Sequence, residues 1–214
     1  ENTAAIKKGL EKLRKSPYFA RIDFKDETGE LPVYIGIRGL REESGQNVLI
    51  YDWRAPISSV FYDHEIGPVE FQAPGGLIEG ELKLKRQYKI QDGKMEYMIE
   101  SNVSIDDEIL QKELSSTSDE KMKNIVATIQ KEQNAIIRNE EANVLIIQGA
   151  AGSGKTSIAL HRMAFMLYRF KHTIQSSDML ILSPNKVFGN YISNVLPELG
   201  EDHIQEIGFE EIAS

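Results

Sequence analysis

Apolar residues Ile6, Leu10 and Leu13 recur every three to four positions in a lysine-rich segment that stops at Ser16-Pro17. The spacing predicts a short amphipathic helix, closed where the residue before a proline is pushed out of helical geometry. From its abrupt, charged start, residues 1–16 are expected to be the stub of a longer helical arm. From Tyr18 to about Ser104 the period changes to two. The runs YFARIDF, LPVYIGI, NVLIYDW, LKLKRQYKI and KMEYMIE alternate or are β-branched, with turn signals at Glu27-Thr28-Gly29, Gly67-Pro68, Pro74-Gly75-Gly76 and Asp92-Gly93 between them. Residues 17–113 are therefore expected to form a small antiparallel β-rich region. Asp92-Gly93, whose residues tolerate positive φ, predicts a tight hairpin that brings Tyr88 and Ile90 near Met95 and Tyr97.

A polar stretch, LSSTSD, begins at Leu114, and Thr117 with Glu120 three residues later has the form of a capping box. A helix is expected from there to about Arg138, with a domain boundary at residue 114. Beyond it lie a continuous apolar run at Asn143–Gln148, a glycine-rich loop, an apolar helix from Lys155 to about Phe170, and a second apolar run at Met179–Ser183. Continuous apolar strands are those covered on both faces, so residues 114–214 read as a β-loop-α-β unit with parallel strands, an α/β class.

Composition narrows the setting. Hydrophobic residues make up 41% of the 214, enough to fill a core. No apolar run approaches the roughly 20 residues of a membrane span, and the first residues lack the apolar stretch of a signal peptide, so a cytoplasmic location and no membrane partner are expected. Without cysteine, and with His64, His161, His172 and His203 scattered, no structural metal is expected. A net charge of -8 excludes a surface that is basic throughout, so any contact with nucleic acid must be local.

The chemistry is concentrated in Gly149-Ala150-Ala151-Gly152-Ser153-Gly154-Lys155-Thr156, which fits G-x-x-x-x-G-K-[ST] between an apolar run and a helix. Glycines let the backbone curl so that successive N–H groups face a phosphate chain, and the helix start adds partial positive charge. These residues and the following Ser157 are the candidate nucleotide-binding set. Lys155 is expected to reach the β and γ phosphates, and the Thr156 hydroxyl to hold magnesium; the two are the candidate catalytic residues. ATP and Mg2+ are the expected ligands.

Upstream, Ile129-Gln130-Lys131-Glu132-Gln133-Asn134-Ala135-Ile136-Ile137 resembles the segment with which UvrD-like superfamily 1 helicases read adenine, with Gln133 at the glutamine position. An amide can both donate to and accept from the adenine edge; taken without the resemblance, Gln133 reads more readily as a solvated helix residue. Downstream, Ser183-Pro184-Asn185 resembles the early single-strand-binding motif of that superfamily, making Ser183 and Asn185 candidate nucleic-acid contacts. Plain helix capping accounts for them as well. More closely, DWRAPISSVFYD, LKRQY, TIQKEQNAIIR, GAAGSGKTSIALHR and SPNKVFGNYISNVLPELGE resemble the HelD family of helicase-like motors that recycle bacterial RNA polymerase. The resemblance implies the first part of a RecA-like P-loop domain, ATP hydrolysis in the whole protein, RNA polymerase as partner and an upstream coiled-coil arm. One departure is Gly208, where the superfamily usually has threonine.

Other features have simpler readings. Trp53, the sole tryptophan, lies in Trp53-Arg54-Ala55-Pro56 and is expected to be core. Lys83, Lys85, Arg86 and Lys89 with Tyr88 could touch nucleic acid or an acidic partner surface, but lysines on an edge strand more commonly just prevent sheet-to-sheet association. The pairs Glu42-Glu43, Asp106-Asp107 and Glu140-Glu141 lack partner motifs and are expected to be solvated. Arg162, after His161, could approach phosphate or nucleic acid, or form an ion pair. No apolar run ending in Asp-Glu follows Ser183, so this stretch is expected to bind nucleotide weakly and not to hydrolyse it. A conventional DNA helicase and a non-motor nucleotide-binding module remain alternatives to a polymerase-associated ATPase.

Overall fold

The computed structural model describes residues 2–45, 47–100, 125–183 and 204–208, together with positions 192, 195, 196, 199 and 211. The chain divides into two compact units, Glu1–Gln130 and Lys131–Ser214. The boundary expected at residue 114, the Thr117–Glu120 capping box and Asp106-Asp107 lie outside the described residues.

The first unit opens with helix α1 (Asn2–Lys15), whose last turn carries Lys12, Arg14 and Lys15, cations suited to the exposed carbonyls of a helix end. Lys15 O accepts from Gly93 N at 2.8 Å. Strands β1 (Ala20–Asp26), β2 (Gly29–Gly36), β3 (Leu40–Arg41), β4 (Val48–Asp52), β5 (Gly67–Ala73), β6 (Gly76–Gln91) and β7 (Lys94–Glu100) follow. They form one sheet of order β3-β4-β2-β1-β6-β5, with β7 also on β6. Pairing is antiparallel except for the short parallel contact of β2 with β4. Period-two alternation sends Ala20, Ile22, Phe24, Val33, Ile35 and Leu82 to one buried face. Trp53 and helix α2 (Ser59–Asp63), with Val60 and Phe61, supply further core residues. Phe24 and Phe71 meet edge to face at 5.7 Å. At Gly80 of β6 there is no room for a side chain: a methyl would meet the Phe24 ring and stand 2.6 Å from Lys25 O of β1.

At the Asp92-Gly93 hairpin both residues have positive φ, 50° and 76°. Ile90 faces Met95 as expected. Tyr88, however, faces Met98, and Tyr97 faces Lys89, because a bulge between Lys89 and Ile90 moves the register by one residue.

The second unit contains α3 (Lys131–Ile137), α4 (Lys155–Arg169) and the parallel strands β8 (Leu180–Ser183) and β9 (Gln205–Gly208). The expected single helix ending near Arg138 is interrupted: Ile125–Thr128 is a 3-10 turn, and Ile129 and Gln130 are not helical. Val126, Ala127 and Ile129 are all buried, a pattern that one helical stripe of period 3.6 does not provide. The strand expected at 143–148 forms no ladder among the described residues, and Val144 and Ile146 are 80% and 86% exposed. A strand exists only where a neighbour takes up its backbone hydrogen bonds, and among the described residues none does. The fold is thus mixed α/β with a mostly antiparallel sheet.

Candidate functional site

The segment Gly149–Thr156 is a turn leading into the first residues of α4. Gly152 and Gly154 have φ of 80° and 81°, the left-handed region that glycine enters without a Cβ penalty. Gly154 is the residue at the start of α4, and its carbonyl accepts from Ile158 N at 2.9 Å. A second hydrogen bond, Ser153 N to Ala150 O at 3.3 Å, tightens the curl. A Cβ on Gly149 would lie 2.8 Å from Ser153 Oγ, so the loop closes on itself where side chains are absent.

Lys155 folds back over this curl. Its Nζ donates to Gly149 O at 2.9 Å and to Ala150 O at 2.6 Å. The ammonium thus sits over the mouth of the loop on carbonyl oxygens, which are the acceptors that phosphate oxygens would replace. Thr156 is the second residue of α4, and both side chains are half-buried rather than sealed. The arrangement suits a phosphate chain: N–H groups of a helix start, a cation on a flexible stem, and a hydroxyl beside it.

Gln133 is on α3, and a methyl built on Gly154 would be 3.8 Å from its Nε2, so the amide stands beside the last glycine of the loop. Asn134 and Ile137 bury the other side of this helix. Arg138 Nε donates to Asn134 Oδ1 at 3.0 Å, and its guanidinium lies 5.2 Å over the Phe165 ring of α4. From α4, Arg162 Nη1 reaches back to Ile136 O at 3.0 Å, Ile137 O at 3.4 Å and Asn139 O. Neither of the sequence readings of Arg162 anticipates these backbone carbonyls. The i, i+4 spacing of Asn134 and Arg138 was a legible signal of their pairing. Nothing in the sequence spacing marks Arg162 for α3.

His161 is buried in α4 and its ring Nδ1 is 2.7 Å from Ser157 O. A carbonyl only accepts, so Nδ1 carries the proton. Burial lowers the imidazole pKa to about 4, the Ser157 carbonyl opposing this, and the ring is neutral near pH 7.

Ser183 ends β8 opposite Gly208 of β9 and is 2% exposed; Asn185 lies outside the described residues. Trp53 is fully buried, as expected of core. Beside it, Arg54 Nε and Nη2 clasp Asp52 Oδ1 and Oδ2, each at 2.8 Å, and Ser58 Oγ donates to Asp52 O. The Lys83–Lys89 cluster is not a single basic face, and β6 is an interior strand rather than an edge. Lys83 pairs with Glu81, Arg86 with Glu100 and Lys89 with Glu96. Lys85 is buried, donates to His64 O at 3.0 Å and has its pKa lowered by desolvation. Glu140 pairs with Arg169, and Glu42 accepts from Asn47. Among the described residues no cluster of His, Asp and Glu could hold a metal by itself, and no helix is long and apolar enough to cross a membrane.

No curated protein matches this chain. A family model described as the N-terminal domain of DNA helicase IV HelD matches residues 1–120, more than half of the 214. That stretch includes α1, the whole antiparallel sheet and the buried Asp52-Trp53-Arg54 turn, all outside the phosphate-loop segment. On that match, which covers more than half of its length, the chain belongs to the HelD family of helicase-like proteins.

Proposed function

We propose that this chain is the ATP-binding portion of a helicase-like motor that works with bacterial RNA polymerase, releasing it from nucleic acid for reuse. The observation that carries the nucleotide reading is the loop itself. Left-handed Gly152 and Gly154 curl the backbone, and the Lys155 ammonium rests on Gly149 O and Ala150 O. Lys155 would exchange those carbonyls for the β and γ phosphates of ATP. Loop N–H groups would hold the phosphate oxygens, and the Thr156 hydroxyl would be the protein ligand of magnesium. Magnesium, when bound, offsets phosphate charge during transfer. Gln133 would read the base. In this reading residues 114–214 are the first part of a RecA-like domain, and the full-length protein hydrolyses ATP.

Titration of the chain with a fluorescent ATP analogue and Mg2+ tests the nucleotide half. Lys155→Ala is expected to weaken binding about tenfold or more, the equivalent of one charge-assisted contact; binding that ignores this substitution sinks the reading. RNA polymerase as partner rests on family membership. The family description names a DNA helicase, which favours duplex unwinding as the second reading. Co-purification of the full-length protein with polymerase, together with weak unwinding of duplex DNA alone, supports the first. Efficient unwinding without polymerase selects the second.

A further inference from the structure

We infer that Arg162 is the positioning residue for base selection, holding α3 so that Gln133 stays beside Gly154 and the site prefers adenine to guanine nucleotides. The inference rests on the reading of Gly149–Thr156 as an ATP site.

Helix α3 has seven residues, Lys131–Ile137. A helix this short has little stability of its own, so its place is set by what it packs against. Its last carbonyls have no partners within the helix. From α4, Arg162 Nη1 donates to two of them, Ile136 O and Ile137 O, and to Asn139 O just past the helix end; Ile136 O also accepts from Asn139 N at 3.4 Å. A cation is also the favoured group at a helix C-terminus. Arg162 is one residue beyond His161, on the helix that the phosphate loop starts. The same helix thus carries Lys155 at its first turn and, two turns later, the side chain that fixes α3. Gln133, one turn before Ile137, is set beside the loop by this link.

The selectivity follows from the edges of the bases. Adenine presents an amino donor and a ring-nitrogen acceptor, which one carboxamide can match with its own acceptor and donor. Guanine presents two acceptors at the corresponding positions, so the carbonyl of the same amide faces an oxygen. Discrimination requires that the amide be held in place; phosphate binding by the loop does not. Loss of Arg162 should therefore remove the preference for adenine and leave phosphate binding intact, whereas a merely structural loss would weaken every nucleotide alike.

The test uses fluorescent ATP and GTP analogues on the 214-residue chain, with Arg162→Gln, Arg162→Lys, Gln133→Ala and the double variant Gln133→Ala/Arg162→Lys. The wild type is expected to favour ATP about tenfold. Arg162→Gln is expected to abolish that preference while leaving GTP affinity within about twofold. Arg162→Lys keeps a donor and should fold even if the glutamine variant does not; it should retain part of the preference. In the double variant it should have no further effect on the ratio, because both changes act through one amide. Equal losses for ATP and GTP, an unchanged ratio, or additive effects in the double variant would each overturn the inference. Lys155-dependent binding with an unaltered ratio overturns this inference alone. Absence of Lys155-dependent binding overturns the ATP-site reading with it.

Discussion

Residues 20–82 and residues 143–183 are both written in short apolar runs, yet only the first set becomes a sealed core. Ile22, Val33 and Ile35 lie in strands with neighbours on both sides and are fully buried. Val144 and Ile146, in an equally apolar run, are mostly exposed, and Leu180 and Leu182 of β8 remain 51% and 57% exposed. Backbone partners and a covering layer, not hydrophobicity alone, turn an apolar run into core. The glycine-rich loop needs neither. Its curl depends on glycine φ angles and on hydrogen bonds between residues at most six apart, so it forms beside strands that are still exposed.

The largest effect that could break this contrast is in the first unit. Trp53→Ala removes a fully buried indole and is expected to destabilise the sheet by about 3–5 kcal/mol. Hydrogen exchange of peptides from 20–52 in increasing urea reads this directly, with peptides from 155–169 unchanged as the control. A loss below about 1 kcal/mol would mean that the first unit is no better sealed than the second.

Next in size is a pH effect in the second unit. The His161 imidazole has a pKa of about 4 when folded, against 6.5 for the free side chain. Between those values the unfolded chain takes up a proton that the folded one refuses, so stability is constant above about pH 6.5 and falls as pH drops toward 4. The full difference is on the order of 3 kcal/mol. Exchange protection of α4 should weaken between pH 6.5 and 5, and His161→Gln should remove most of that slope whatever its effect on absolute stability. A slope shared by the variant would assign the loss to other groups.

The smallest effect tests the exposed run itself. Ile146→Ser, at a residue 86% exposed, is expected to change stability by less than about 0.5 kcal/mol. A change above about 2 kcal/mol in thermal melting would show that the run is buried in solution and that the contrast does not hold.

Much of this was legible in the sequence where the determinants are local. The α1 stop before Pro17, the Asp92-Gly93 turn and the alternation of β1 and β2 each follow from neighbouring residues. The same holds for the G-x-x-x-x-G-K-T curl, whose Gly152 and Gly154 adopt the φ values for which glycine is needed. Periodicity went wrong where the outcome depended on a distant partner. The bulge that set Tyr88 opposite Met98, the break at Ile129 and Gln130, and the missing ladder at 143–148 are settled by what lies alongside, which spacing does not record.

The charged residues divide in the same way. Sequence alone determined that Lys155 would follow a glycine-rich turn, because both belong to one contiguous stretch. Only tertiary structure decided that Lys85 points inward to His64 O, that Arg54 closes on Asp52 in the core, and that Arg162 ends on the carbonyls of α3 rather than on a carboxylate. A basic side chain has no directional preference until the fold presents an acceptor within reach, and for Arg162 that acceptor is more than 20 residues away along the chain.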